Sequence, residues 1–106
     1  MVKDITPKDA LKMIEAGDAI LIDVREPDEF LESHIPYAKS IPMSVIDGVF
    51  HHLKFPANKT IIFQCKSGGR SGRVCEYVST IPEVKNDILN LQGGITAWAE
   101  NELPII

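Results

Sequence analysis

The sequence predicts an α/β domain in which a central parallel sheet carries helices on both faces. Three observations predict it. Short apolar runs alternate with helix-like amphipathic stretches along all 106 residues, the pattern of strand-helix units rather than of hairpins. The run Ala19-Ile20-Leu21-Ile22-Asp23-Val24 does not alternate with polar residues, which suits a strand covered on both faces. A second such run, Thr60-Ile61-Ile62-Phe63-Gln64, ends in a glycine-bearing loop that leads into another helix-like segment.

The elements follow in order. Thr6 is a suitable cap for a helix starting at Pro7, with Asp9 in its first turn. Ala10, Leu11 and Ile14 share one face of that helix, and Gly17 ends it. The Ala19–Val24 strand comes next, then a short helix from Pro27 to Ser33. Lys39-Ser40-Ile41-Pro42 reads as a short edge strand limited by its proline. Ser44 is the expected cap of a helix that turns Val45, Ile46, Val49, Phe50 and Leu53 to one side. After the Ile61 strand, a helix from Gly72 to Ile81 presents Val74, Tyr77, Val78 and Ile81 inward. Asp87 to Leu91 is the last strand. Gly93-Gly94 opens a final helix with Ile95, Trp98 and Ala99 inward, and Leu103-Pro104 closes the chain.

Composition narrows the classes of function. A chain of 106 residues builds one domain with a real core and is too short for two, so residues 1–106 are expected to form a single domain. The net charge of −4 argues against nucleic acid, which needs a basic surface. The apolar runs are too short to span a bilayer, and no basic segment followed by an apolar stretch marks a signal peptide. Two cysteines ten residues apart form neither a disulfide framework nor a zinc pattern. A reducing cytoplasm is the expected location, where Cys65 stays free.

The chemistry concentrates in Cys65-Lys66-Ser67-Gly68-Gly69-Arg70-Ser71. In a parallel sheet, ligands bind beyond the carboxyl ends of the strands, and Cys65 stands at such an end. Backbone N–H groups in a loop of this kind converge on one point, and the following helix terminus adds positive partial charge. The same field favours thiolate over thiol, which makes Cys65 an acidified nucleophile.

Three stretches, taken together, resemble the single-domain rhodaneses, a family of sulfurtransferases. Leu21-Ile22-Asp23-Val24-Arg25-Glu26-Pro27-Asp28-Glu29-Phe30, followed by His34-Ile35-Pro36-Tyr37-Ala38 and Ile41-Pro42, is similar to the family's first signature. Cys65 to Ser71 is similar to its active-site loop, and Leu91-Gln92-Gly93-Gly94-Ile95-Thr96-Ala97-Trp98 through Leu103-Pro104 to its C-terminal signature. Tyr37 stands where many relatives carry glycine. The resemblance implies a rhodanese-like domain and ping-pong sulfur transfer. Cys65 takes the outer sulfur of a small anionic donor such as thiosulfate, carries it as a persulfide, and passes it to cyanide or a thiol. Lys66, Ser67, Gly68, Gly69, Arg70 and Ser71 are the expected substrate-binding residues. Their N–H groups surround the persulfide, Lys66 meets the sulfonate end of the donor, and Arg70 offers a planar fork. That fork faces either the substrate or a neighbouring carboxylate. A protein persulfide donor or acceptor is a further expected partner; no metal or cofactor is.

Loop length separates this reading from a phosphatase. Phosphatase loops of related form place five residues between cysteine and arginine, whereas four lie between Cys65 and Arg70. The shorter loop suits one bound sulfur. The remaining polar residues have plain structural readings. Cys75 is an inert thiol, Asp23 and Arg25 fix loops near the site, His34 is a hydrogen-bonded turn residue and Trp98 is core. The adjacent His51 and His52 diverge by about 100° on a helix and make a poor chelate. Beside an active sulfurtransferase, the sequence leaves open a persulfide carrier serving a protein partner. A non-catalytic binding module is the third class, disfavoured by the intact Cys65.

Overall fold

Parallel strands leave a sheet at the same edge, so each strand-to-helix connection here collects on one side of the molecule. The computed structural model describes residues 2–50 and 55–106, the side chains of residues 49 and 50 excepted. In chain order the elements are β1 (Lys3–Ile5), α1 (Pro7–Glu15), β2 (Ala19–Asp23), α2 (Pro27–Glu32), β3 (Lys39–Ser40), α3 (Met43–Phe50), β4 (Thr60–Gln64), α4 (Gly69–Val78), β5 (Ile88–Leu91) and α5 (Gly94–Glu100). The five strands form one sheet in the order β1-β5-β4-β2-β3, and every pairing is parallel. The expected α/β class with helices on both faces is what the chain adopts.

The two unbroken apolar runs sit side by side at the centre, registered from Ala19 opposite Thr60 to Asp23 opposite Gln64. Their alternate residues feed two cores, because successive side chains leave opposite faces of a strand. Ile22, Val24, Ile61, Phe63 and Cys65 meet Ile46 of α3 and Val74, Cys75 and Val78 of α4. On the other face Leu21, Ile62 and Leu91 meet Ala10 of α1, Ile35, and Ile95 and Trp98 of α5. Trp98 is fully buried, and its Nε1–H donates to the Pro104 carbonyl at 2.8 Å, which ties the closing segment to α5.

Several boundaries differ from expectation for identifiable reasons. β1 has no sequence signature: Lys3-Asp4-Ile5 is short and mostly polar, and it is a strand because it pairs with Leu89, Asn90 and Leu91 of β5. Ser44 does not cap α3; the helix already includes Met43, and the Ser44 hydroxyl donates instead to Glu26 Oε1 at 2.9 Å. Val45 is exposed rather than inward, whereas Ile46 is buried. Val49, Phe50 and Leu53, expected on the same inner side, lie outside the described side chains, as do His51 and His52. Ala99, expected inward, is exposed, and Cys75, expected to be an inert thiol, is buried. The helix expected from Gly72 begins at Gly69, so the last three residues of the expected loop, Gly69 to Ser71, belong to the first turn of α4.

The approach of α5 to the end of β4 leaves no clearance. Gly94 adopts φ +60°, and a Cβ there would lie 2.5 Å from the carbonyl oxygens of both Cys65 and Lys66. The bare glycine lets the next two N–H groups reach those carbonyls, Ile95 to Cys65 at 2.9 Å and Thr96 to Lys66 at 3.1 Å. Gly69 has open space around its Cα and no positive φ. We therefore expect Gly94→Ala to cost about 2–4 kcal/mol in urea unfolding through overpacking and left-handed strain. Gly69→Ala should stay within about 0.5 kcal/mol of the parent.

Candidate active site

Cys65 follows β4 directly and is almost fully buried, with 1% of its surface exposed. Its sulfur is not left without donors. The Gly68 N–H donates to Sγ at 3.1 Å, and the Ser71 hydroxyl lies 3.3 Å away. The close return of the chain needs the left-handed turn at Gly68, whose φ is 109° and which caps α4. Burial pushes the Cys65 thiol up, but hydrogen bonds from the Ser71 hydroxyl and from the N–H groups of Ser71, Gly68 and Ser67 outweigh it and hold the thiol below its ordinary value.

Ser71 is completely buried and connects the sulfur to β5. Its Oγ stands 2.6 Å from Asn90 Oδ1 and 3.3 Å from the Gly68 carbonyl. Asn90 Nδ2–H donates to that same carbonyl at 3.1 Å, as does the Gly72 N–H at 3.0 Å. The carbonyl of the Gly68–Gly69 peptide is thus held away from the sulfur. Asn90 was not singled out in the sequence; its only mark there is a polar residue inside the apolar strand Ile88-Leu89-Asn90-Leu91.

Arg70, expected among the substrate-binding residues, turns its fork onto a carboxylate. Its Nη1 and Nη2 donate to Glu29 Oε1 and Oε2 at 2.7 and 3.0 Å. Glu29 Oε1 also accepts the Glu26 N–H at 3.0 Å, so the same side chain closes the first turn of α2 and clamps α4. The Arg70 fork, opposed by burial, holds the Glu29 carboxyl down to about 2. Asp23 and Arg25 form a second, buried pair. The Arg25 Nη2 donates to Asp23 Oδ2 at 2.8 Å and to the Ser33 carbonyl at 2.7 Å, which fixes the turn after α2. His34 Nδ1–H donates to the Phe30 carbonyl at 2.9 Å, and its ring stacks on Phe30.

Lys66, Ser67 and Gly69 are exposed. Lys66 lines a cavity of about 410 Å³ together with Arg25, Glu29, Ile95, Thr96 and Ala99. Cys75 lies in the second turn of α4 without a comparable set of donors, and burial above all pushes its thiol up to about 12. Both cysteines are free. Among the described residues no group of three or more His, Cys, Asp and Glu side chains could hold a metal ion, and no helix is long and apolar enough to cross a membrane.

Fold and site together define a domain with an acidified thiol cradled at the carboxyl edge of a parallel sheet. Residues 6–101 match the family model of the rhodanese-like domain, and the chain belongs to that family. A sulfurtransferase of Allochromatium vinosum is 34% identical to it over 90% of this chain and 85% of its own length. The putative sulfurtransferase YtwF of Bacillus subtilis is 36% identical over 97% of this chain and 96% of its own. The solved structure of a rhodanese-related protein from Thermoplasma volcanium superposes with a TM-score of 0.83 at 27% identity, covering 98% of this chain and 97% of that one.

Two pH effects follow from the geometry. The alkylation rate of Cys65 should show a midpoint below about 8.5, the value of a free cysteine, while Cys75 stays unlabelled across the same range; mass spectrometry of the labelled protein checks both. The second concerns Glu29, whose carboxyl is lower in the folded chain than in the unfolded one. Its contribution to stability is complete above the unfolded value of 4.5 and is lost as pH falls toward about 2. Glu29→Gln should therefore flatten the acid dependence of the melting temperature in that window. At neutral pH it should cost up to about 1 kcal/mol, because the pair is partly open to water.

Proposed function

We propose that this domain is a sulfurtransferase that carries sulfur as a Cys65 persulfide. The observation that supports it best is the sulfur of Cys65 itself, buried yet surrounded by the Gly68 N–H at 3.1 Å and the Ser71 hydroxyl at 3.3 Å. A thiolate so placed attacks the outer sulfur of a donor such as thiosulfate. The new S–S bond forms to Cys65, the donor's own S–S bond breaks, and its electron pair leaves with sulfite. A thiolate or cyanide then attacks the outer persulfide sulfur, and the electron pair of the cleaved bond returns to Cys65 Sγ. No external oxidant or reductant is needed. The charge that develops on sulfur in each step faces N–H donors, whose fixed orientation needs no reorganisation.

In this reading Lys66, which lines the cavity, meets the sulfonate end of the donor. Ser67, Gly68, Gly69 and Ser71 contribute backbone N–H groups or a hydroxyl to the transferred sulfur. Arg70 acts at one remove: with its fork on Glu29 it holds the first turn of α4 in place. The same pairing disfavours phosphate-ester hydrolysis, for which the arginine would have to offer its fork to the phosphate, and the four-residue spacing between Cys65 and Arg70 points the same way. The cell's acceptor is a thiol, of a small molecule or of a protein partner, in a reducing cytoplasm that keeps Cys65 free.

Thiocyanate formation from thiosulfate and cyanide tests the proposal. Cys65→Ser should lose at least about 1,000-fold in kcat, since removal of a covalent nucleophile leaves only binding and electrostatics. Cys75→Ser should keep most of the parent rate. Equal loss in both variants, or a parent that hydrolyses an aryl phosphate faster than it transfers sulfur, would overturn the assignment.

A further inference from the structure

We propose that Asn90 is a positioning residue that sets the acidity of Cys65 by competing for the hydroxyl proton of Ser71. The inference rests on the reading of Cys65 as the nucleophile. A serine hydroxyl has one proton to donate. Around Ser71 three acceptors lie within reach: Asn90 Oδ1 at 2.6 Å, Cys65 Sγ at 3.3 Å and the Gly68 carbonyl at 3.3 Å. The Gly68 carbonyl already accepts from Gly72 N–H and Asn90 Nδ2–H, so the contest is between the amide oxygen and the sulfur. The Nδ2 bond also decides which way the Asn90 amide points. Turned over, its oxygen would face the Gly68 oxygen. Asn90 therefore offers Ser71 an acceptor whatever the charge on the sulfur.

The outcome of the contest changes with that charge. A neutral thiol is a weak acceptor, so the hydroxyl turns to Asn90, and the thiol proton faces the lone pairs of Ser71 Oγ. A thiolate makes a charge-assisted bond, about twice as strong as a neutral one, and draws the hydroxyl proton to itself. Asn90 Oδ1 then loses the Ser71 donor in a place where only 8% of the residue is exposed. Ionisation of Cys65 carries the cost of that lost bond. Asn90 thus keeps the thiol less acidic than the ring of donors alone would make it. A more basic sulfur is the better nucleophile and a less basic one the better leaving group. Cys65 must be each in turn, and Asn90 sets the balance.

Other titratable and charged groups stand on the elements packed around the site: Asp4 of β1, Asp23 and Arg25 at the end of β2, Glu29 of α2, Lys66 in the loop, and Arg70 and the neutral Cys75 of α4. Asp4 stands opposite Asn90 in the β1–β5 register. All are common to the parent and the variants below, so differences between these report on Ser71 and Asn90.

The test is the pH profile of iodoacetamide alkylation at Cys65, with folding checked by circular dichroism. Asn90→Ala should lower the midpoint by about one unit, the size of one buried hydrogen bond. Ser71→Ala should raise it, and the double variant should match Ser71→Ala. A merely structural role for Asn90 loosens the cradle and shifts the midpoint upward. An unchanged or raised midpoint in Asn90→Ala, or the same fall in the Ser71→Ala background, overturns the proposal. If Asn90→Ala does not fold, Asn90→Leu restores the volume without an oxygen and carries the same expectation. The titration needs no sulfur transfer, so its failure leaves the sulfurtransferase reading standing, and a failure of that reading leaves the titration intact.

Discussion

A sulfur almost wholly removed from water is nevertheless made easier to ionise, and the carboxyl edge of the sheet is arranged around that opposition. Burial alone works against ionisation. Cys75 shows the effect in the same molecule: it packs in the same core as Cys65, has no equivalent ring of donors, and is pushed up to about 12. Cys65 is no better solvated, yet its thiol is held below the ordinary value by Ser71, Gly68 and Ser67. What separates the two cysteines is the direction of a few N–H and O–H bonds, and those directions depend on how the loop is held.

Three ties from distant parts of the chain hold it. Glu29 of α2 grips Arg70 across 41 positions of sequence. The N–H groups of Ile95 and Thr96 in α5 grip the carbonyls of Cys65 and Lys66, while the Gln64 side chain donates to the Cys65 carbonyl from within β4 at 2.9 Å. Asn90 of β5 grips the Gly68 carbonyl and Ser71. Each tie takes up a carbonyl or a cation near the loop and leaves N–H groups facing the sulfur. A carbonyl turned inward would oppose the thiolate, so satisfying the carbonyls elsewhere is as necessary as supplying donors.

The same non-local ties explain what the sequence revealed and what it hid. β2 and β4 were legible because an unbroken apolar run has few places to go but the middle of a sheet. The donors around Cys65 were legible because a cysteine between a strand and Gly68-Gly69 has a local physical meaning. β1 was hidden, since Lys3 and Asp4 become strand only through β5. The true start of α4 was hidden too: glycine at 69 argues against helix locally, and the turn is held by Arg70 reaching to Glu29. For the same reason the direction of Arg70 could be narrowed to two possibilities and no further. Asn90 left one trace, an amide in a strand otherwise apolar, and its meaning depends on Ser71, 19 positions earlier.

The choice of donors also bears on why the cradle uses dipoles rather than a fixed cation at the sulfur. Arg70 is close enough to feel Cys65, but its charge is shared with Glu29, and Arg25 is bound to Asp23. A cation bonded directly to Sγ would lower the thiol further, and a sulfur of low basicity is a poor nucleophile even when fully ionised. Neutral N–H groups stabilise the charge without abolishing its reactivity, and Ser71 can withdraw its proton toward Asn90 when the charge is gone. Lys66 stands apart from this arrangement, at the cavity beside the loop. In the proposed reaction, attraction of an anionic donor and stabilisation of the reacting sulfur would fall to different groups, so either could change without the other.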